Sequence, residues 1–305
     1  MSWANCSTWI REFAHVSAWT RAFFIHPDAN RHMRFGGRSL NLCRPDSHKS
    51  CAACCGLYNV PDARRARLEE KLTFRTLVFG RTQKSPDALE QFKDVIRTRE
   101  AVTPVEEIIH VCEFTGYLDP EHRIVGCMLH PSSPGNGGID LRGLCHYGSL
   151  ACKAFFCPAW TEISPDRQRI IADTVQDWHL YGLVITDVDY VQSIFHLLEC
   201  GVGMRLDPDV LRSGPAGSVL CEIFSWKDSW PFKGDSMMRR CRYYVKGEHL
   251  QGTRKSAEGL QAIRGILEFT FDLKKIAAGS EQYISSTVQR FVSAYLRERR
   301  NAAAV

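Results

Sequence analysis

Cysteine side chains crowd two short stretches of this chain. The first stretch reads HKSCAACC and sets His48, Cys51, Cys54 and Cys55 in an H-x-x-C-x-x-C-C pattern. The second, CHYGSLACKAFFC, follows about a hundred residues later. Soft sulfur ligands spaced this closely are what zinc and iron–sulfur clusters bind. The two stretches therefore predict that the chain holds a metal.

The C-x-x-C spacing lets two thiolates from one tight turn meet the same metal, with backbone N–H groups pointing at the sulfurs. Cys51 and Cys54 have this spacing, and Cys55 continues it. His48 stands at the first position of the run, where imidazole is a competent ligand for zinc and replaces cysteine in some iron–sulfur centres. A surface position for His48, with the cysteines alone binding the metal, is the alternative.

The chain contains 13 cysteines, and their number bears on where the protein resides. The N-terminal segment MSWANCSTWIREFAHVSAWTRAFF has no sustained apolar stretch of a secretory signal, which predicts a reducing, cytoplasmic location. In such a compartment clustered cysteines bind metals or carry redox chemistry rather than form a disulfide framework. The cysteines outside the clusters are predicted to be buried small hydrophobic residues, and they are Cys6, Cys43, Cys200, Cys221 and Cys241.

Length and composition are those of an ordinary globular protein. The 305 residues suit one large domain or two medium ones, with 44% hydrophobic and 24% charged residues. The net charge of +5 is mild and favours neither a nucleic-acid nor a membrane partner. No apolar run approaches the roughly 18–20 residues of a membrane span. The composition leaves open whether the chain binds a protein partner, and it does not predict which kind.

The cysteine-bearing segments together resemble the CxxCxxCC family of zinc- or iron-chelating proteins (YkgJ-like proteins), whose cysteine pattern is shared by flagellin lysine N-methylases. HKSCAACC corresponds to the family signature, CEFTGYLDPEHRIVGCMLHP to a middle segment and CHYGSLACKAFFCP to a closing segment. The resemblance covers about residues 45–160. This chain departs from the family pattern at His48, which stands in place of a cysteine, and it has no proline after Cys112.

The resemblance implies that about eight cysteines chelate zinc or iron. Carried over position by position, it implies the ligands Cys51, Cys54, Cys55, Cys112, Cys127, Cys152 and Cys157, with Cys145 and His48 as further members. Such a set fills two four-coordinate sites or holds one cluster with spare thiols. An iron–sulfur cluster is the leading cofactor because so many thiols lie in one domain, and zinc is the alternative.

Local patterns predict a mainly α fold with few short strands and an irregular, metal-stapled cysteine-rich domain. Helices are expected after the caps Ser85, Thr103, Ser164 and Ser280, three of which precede a proline, and FRTLVFG is expected to form a short strand. The predicted units are an N-terminal extension over residues 1–40, the cysteine-rich metal-binding domain over 41–160, and a helical C-terminal domain over 161–305.

The leading functional hypothesis is a metal-binding protein with a redox or sensing role. If the metal is zinc, it serves mainly to stabilise the fold, since the binding energy of such sites is folding energy. The shared cysteine pattern suggests a protein lysine N-methylase-like enzyme as an alternative, although no segment is typical of an S-adenosylmethionine site. A docking module shaped by zinc is a third hypothesis.

Overall fold

The structure is a computed structural model that describes residues 34–35, 38–212, 214–243, 259–275 and 277–303. The described residues are mainly helical and carry only short strands, which confirms the predicted mainly α class. The predicted extension over residues 1–40, including Cys6, lies almost entirely outside the described residues. No helix in the described ranges is long and apolar enough to cross a membrane.

Two long helices and two small antiparallel pairs of strands organise the first half of the described chain. The strands are β1 Arg34–Phe35, β2 Arg38–Ser39, β3 Thr115–Tyr117 and β4 Val125–Cys127. The helices are α1 Arg65–Arg81, α2 Pro86–Glu100 and α3 Gly148–Ala154, and short 3₁₀ turns cover Ala53–Cys55 and Arg142–Leu144. The pair β3–β4 places Thr115 opposite Cys127, so the hairpin ends at a cysteine.

Helices make up the second half of the described chain. They are α4 Ala159–Glu162, α5 Pro165–Thr174, α6 Trp178–Thr186, α7 Val188–Val202, α8 Pro208–Leu211, α9 Pro215–Ser229, α10 Leu260–Phe271 and α11 Ser280–Ala303. Helix α11 packs against both α7 and α9, and all three helices contribute to one buried cluster. These helices agree with the helical structure predicted for residues 161–305.

Three of the predicted helix starts are confirmed. The Ser85 hydroxyl accepts a hydrogen bond from the Ala88 amide at 3.4 Å, and Pro86 opens α2 at the position where a missing N–H does no harm. Ser164 likewise precedes Pro165 at the start of α5. Helix α11 begins at Ser280, as its spacing predicted.

The strand predicted for FRTLVFG is wrong, because these residues continue α1. The buried positions of α1 are Leu68, Leu72, Arg75 and Phe79, which recur at helical spacing through the segment. The run has β-branched and aromatic residues, but packing of this one face against β3 decides in favour of the helix.

The helix predicted after Thr103 is also wrong, because a tertiary contact occupies the backbone that would build it. The Asn59 side-chain amide donates to the carbonyls of Glu106 and Ile109, at 2.9 and 2.7 Å, and its oxygen accepts from the Glu106 amide at 2.8 Å. Asn59 is buried, so these bonds replace helical ones in a dry environment. Residues 103–111 consequently form turns and bends.

Buried side chains pack across the domain boundary predicted near residue 160. The boundary itself stays a prediction. Leu42, Cys51 and Ala53 belong to the same buried cluster as the C-terminal helices. Tyr58 belongs to a second cluster that includes Trp178 and Leu183 of α6. A third cluster lies under α1, α2 and the β3–β4 hairpin. The cysteine-rich segments therefore rest on the helical part as well as on their own core.

A fully buried ion pair ties α9 to the start of α7. Lys227 Nζ lies 2.8 Å from Asp187 Oδ2 and 2.8 Å from Thr270 Oγ1, and the Tyr190 ring lies beneath it. Burial alone would raise the pKa of Asp187, but the charge of Lys227 holds it below its ordinary value. Each partner is thus needed to compensate the buried charge of the other.

We expect Lys227→Met to lower the free energy of unfolding by about 3–5 kcal/mol, because it leaves Asp187 buried without its cation. Since the folded-state pKa of Asp187 is depressed, the pair's contribution is present at neutral pH and is lost as the pH falls through that pKa. The matched control is Arg290→Met, which removes an exposed partner of Glu222 and should cost at most about 1 kcal/mol. Urea unfolding of both variants tests this, and equal losses would contradict it.

Candidate metal centre

The predicted cysteines come from separate segments that the fold brings to one region. Cys51, Cys54 and Cys55 lie at the 3₁₀ turn Ala53–Cys55, and the others stand before β3, at the end of β4, around α3 and before α4. A backbone hydrogen bond of 2.9 Å from the Cys112 amide to the Cys55 carbonyl joins two of these segments directly. Sequence separations of tens of residues are thus closed by ordinary packing and hydrogen bonding.

Four cysteines form what we call the first thiol group, and they are Cys43, Cys51, Cys54 and Cys157. The Cys51 amide donates to the Cys43 carbonyl at 3.0 Å, which sets the two residues side by side. Burial, and then the nearby Cys157, raise the pKa of the Cys43 thiol to about 12. Burial, then Cys43 and Cys157, raise the pKa of Cys51 in the same way.

Five cysteines form the second thiol group, and they are Cys55, Cys112, Cys127, Cys145 and Cys152. The Sγ atoms of Cys145 and Cys152 lie 3.1 Å apart. Hydrogen bonding with Cys152 lowers the pKa of Cys145 to about 6, and the same contact raises the pKa of Cys152. Burial, and then the nearby Cys55, raise the pKa of Cys127 to about 12.

The two groups meet at the adjacent residues Cys54 and Cys55. The adjacent Cys54 thiol raises the pKa of Cys55, and burial raises it further. Cys54 lies near Cys43, Cys51 and Cys157, whereas Cys55 lies near Thr115 and Cys145. Cys55 also lies close enough to Cys43 and Cys51 to raise the pKa of both thiols. Cys54 is exposed at the protein surface, while Cys51 and Cys112 are buried. One edge of the site therefore reaches solvent.

Backbone amides point at several of the sulfurs. The Ala53 amide donates to Cys51 Sγ at 3.4 Å, which is an N–H two residues beyond the cysteine. At four other cysteines, too, the backbone amide two residues further along the chain lowers the pKa of the thiol. The pairs are Cys112 with Phe114, Cys127 with Leu129, Cys145 with Tyr147 and Cys157 with Ala159. Such N–H groups stabilise a thiolate far more than a thiol, as they do around metal-bound sulfur.

Two buried side-chain donors face these sulfurs and have no other partner. The Thr115 hydroxyl and the Trp160 indole N–H form no hydrogen bond of ordinary geometry, and both atoms are shielded from solvent. Thr115 lies against the Cys55 sulfur, and Trp160 against the Cys43 sulfur, where each favours the ionised form. A buried donor without a partner is costly, and a metal-bound thiolate would satisfy it. Both donors are therefore of the kind that a metal-bound thiolate would satisfy, and a neutral thiol satisfies them less well.

Helices α1 and α2 hold the backbone at Cys112 in place. The buried Arg75 makes two bonds of 2.6 Å to the carboxylate of Glu100, and its third nitrogen donates to the Cys112 carbonyl at 3.0 Å. A bidentate pair of this kind is geometrically rigid. On the other side of the second thiol group, Arg142 donates to the Cys152 carbonyl at 3.4 Å.

His48 lies away from the thiols, at the protein surface. Its Nδ1 is 3.4 Å from Nη1 of Arg123, and its backbone amide donates to Asp46 Oδ1 at 2.7 Å. Among the residues that the structure describes, no group of three or more His, Cys, Asp or Glu side chains has the geometry to hold a metal ion as it stands. The structure thus groups the predicted cysteines and sets the predicted histidine apart from them.

Comparison with known proteins gives no match. A scan against protein-family models, a search of curated proteins and a search of solved structures each found nothing similar to this chain. The resemblance to the CxxCxxCC proteins therefore rests on the quoted cysteine segments alone and stays a prediction.

Cys43, Thr115 and Trp160 are the site residues that sequence analysis missed. Cys43, predicted to be a buried small hydrophobic residue outside the clusters, is half-buried. Its carbonyl accepts a hydrogen bond from the Cys51 amide at 3.0 Å, so it lies beside the clustered cysteines. Its distance in sequence from the C-x-x-C turn matches no ligand spacing, so no local signal could have found it. Cys241, by contrast, is fully buried as predicted, while Cys200 and Cys221 are only half-buried.

We expect Thr115→Val to have opposite effects in the metal-free and metal-loaded protein. Without metal the substitution removes an unsatisfied buried hydroxyl, so stability should stay equal or rise by about 1 kcal/mol. With metal it removes a donor to sulfur, so the loaded protein should lose stability or metal affinity. Thermal unfolding with and without added metal measures both effects. The control is Thr287→Val, also buried but hydrogen-bonded to the Tyr283 carbonyl, which should be destabilised in both states alike.

Proposed function

We propose that this chain is a metal-binding protein whose clustered thiols hold an iron–sulfur cluster or zinc, with iron–sulfur as the leading assignment and a redox or sensing role. The observation that carries the proposal is the convergence of nine cysteines from segments far apart in sequence. Chance burial of small hydrophobic residues does not gather so many thiols into two adjoining groups.

The electrostatics of the site support a cation there. Burial and neighbouring sulfurs raise the pKa of most of these thiols, because several thiolates cannot share a dry interior without positive charge. Yet backbone amides, Thr115 and Trp160 all point at sulfur and favour its ionised form. A bound metal resolves this conflict, since it supplies the charge and displaces the thiol protons.

The ligand chemistry favours soft metals in all-sulfur coordination. Burial and neighbouring sulfurs shift the pKa of Cys51, Cys55 and Cys112 most. Cys₄ sets are used by structural zinc and by iron–sulfur clusters. The sulfurs of each group must still close around the metal by side-chain rotation. The exposed Cys54 gives such a centre an edge open to electron exchange or to a sensed oxidant.

The decisive measurement is metal analysis together with the absorption spectrum of protein purified without oxygen. An iron–sulfur cluster predicts brown protein with broad absorption near ~400 nm and iron with acid-labile sulfide. Zinc predicts colourless protein with about one or two zinc ions per chain. Protein that carries neither metal, and takes up neither on reconstitution, would overturn the proposal.

Cys112→Ala should lower the metal content of the purified protein and destabilise the β3–β4 region. Cys112 is buried within the second thiol group, so its loss removes a ligand and a cross-link between distant segments. The matched control is Cys241→Ala, equally buried but packed against Leu183 away from the thiol groups, which should keep full metal content and cost about 1–3 kcal/mol. Equal metal content in both variants would remove Cys112 from the ligand set.

A further inference from the structure

We infer that the two thiol groups are two separate metal centres, and that Cys43 rather than His48 completes the first of them with Cys51, Cys54 and Cys157. This inference rests on the proposed function, since it needs the chain to bind metal. It adds a ligand that no sequence pattern marks, and it assigns the adjacent Cys54 and Cys55 to different centres.

Cys43 is held in a fixed position facing the first thiol group. Its amide donates to the Asn41 side chain at 3.0 Å, and its carbonyl accepts from the Cys51 amide at 3.0 Å. The preceding Leu42 is buried, and its carbonyl accepts from the Tyr181 hydroxyl at 2.7 Å. The loop therefore anchors on α6 and presents Cys43 beside the C-x-x-C turn.

The unpartnered Trp160 indole is an independent indication of a ligand at Cys43. Its N–H is buried, lacks a hydrogen-bond partner and lies against the Cys43 sulfur. Trp160 packs on the same hydrophobic cluster as Cys157 and Cys51. An indole N–H kept dry beside a thiol is unfavourable, whereas beside a metal-bound thiolate it forms a charge-assisted hydrogen bond.

His48 is turned toward a different neighbour. Its Nδ1 faces the guanidinium of Arg123, and the backbone at His48 is fixed by the Asp46 carboxylate. An adjacent guanidinium disfavours a second cation at the imidazole. Cys43 is therefore assigned the ligand position that the H-x-x-C-x-x-C-C pattern gives to His48.

The two groups also belong to different parts of the core, which supports two centres rather than one. Cys51 lies in the cluster formed by the C-terminal helices, with Cys157 packed against it. Cys112 lies in the cluster under α1 and α2, with Cys55, Cys127 and Cys145 packed against it. One zinc ion or one cubane cluster takes about four thiolates, so nine thiols exceed a single centre.

Metal counting on the full-length protein tests the inference, with zinc as the probe under anaerobic, reducing conditions. Each thiol that binds releases its proton to the buffer, and no electron transfer is required. Wild-type protein should bind about two zinc ions per chain. Cys43→Ala should halve this number, Cys112→Ala should halve it through the other centre, and the double variant should bind none. His48→Ala and the control Cys221→Ala should match wild type.

The outcomes separate the inference from the proposed function. If wild-type protein takes up no metal, the proposed function fails. If it binds two ions and Cys43→Ala retains both, or if His48→Ala loses one, the metal site stands but the assignment of Cys43 is overturned. A wild-type stoichiometry of one overturns the two separate centres.

X-ray absorption at the zinc edge of wild-type protein covers the case in which Cys43→Ala does not fold. Sulfur ligands at about 2.3 Å alone are expected. A nitrogen shell at about 2.0–2.1 Å that disappears in His48→Ala would overturn the assignment.

Discussion

The organisation of this protein turns on one constraint, which is that many thiols are gathered where few thiolates can exist. Burial raises the pKa of Cys51, Cys112 and Cys127, and each sulfur makes ionisation of its neighbours harder. The surroundings nevertheless stabilise the ionised form through backbone amides and two unpartnered side-chain donors. As free thiols, these sulfurs leave the two buried donors unsatisfied, and the proposed metal would remove that conflict.

The rest of the fold holds the cysteine-bearing segments in position. The irregular segments have little secondary structure of their own, so buried polar side chains hold their backbones. The Asn59 side chain donates hydrogen bonds to the carbonyls of Glu106 and Ile109. Arg75, paired with Glu100, donates to the carbonyl of Cys112. The helical part supports these segments from below. Cys51 belongs to the helical core, and the Tyr181 hydroxyl donates to the carbonyl of Leu42, just before Cys43. Loops of this kind are stable only when their backbone groups are satisfied by such contacts.

Sequence patterns predicted what depends on neighbouring residues and missed what depends on distant ones. The Ser-Pro caps before α2 and α5 are local signals, and both are confirmed. The helix expected after Thr103 fails because Asn59, far away in sequence, binds its carbonyls. Sequence patterns have the same local limit at the site, where the C-x-x-C spacing marks Cys51 and Cys54 only. Cys43 becomes recognisable only when the loop folds back, since proximity in space leaves no periodic trace in the sequence.

The adjacent pair Cys54–Cys55 explains how two thiol groups can form so close together. Neighbouring cysteines pair with each other in a disulfide only with strain, and successive side chains leave the backbone in different directions. In the 3₁₀ turn Cys54 lies near Cys43, Cys51 and Cys157, whereas Cys55 has Thr115 and Cys145 among its neighbours. The Cys112 amide then bonds the Cys55 carbonyl, which aligns the second group with the turn that builds the first. One short turn thereby serves both thiol groups, so a change in its backbone would disturb cysteines of each group, whereas loss of an outer cysteine would disturb one group.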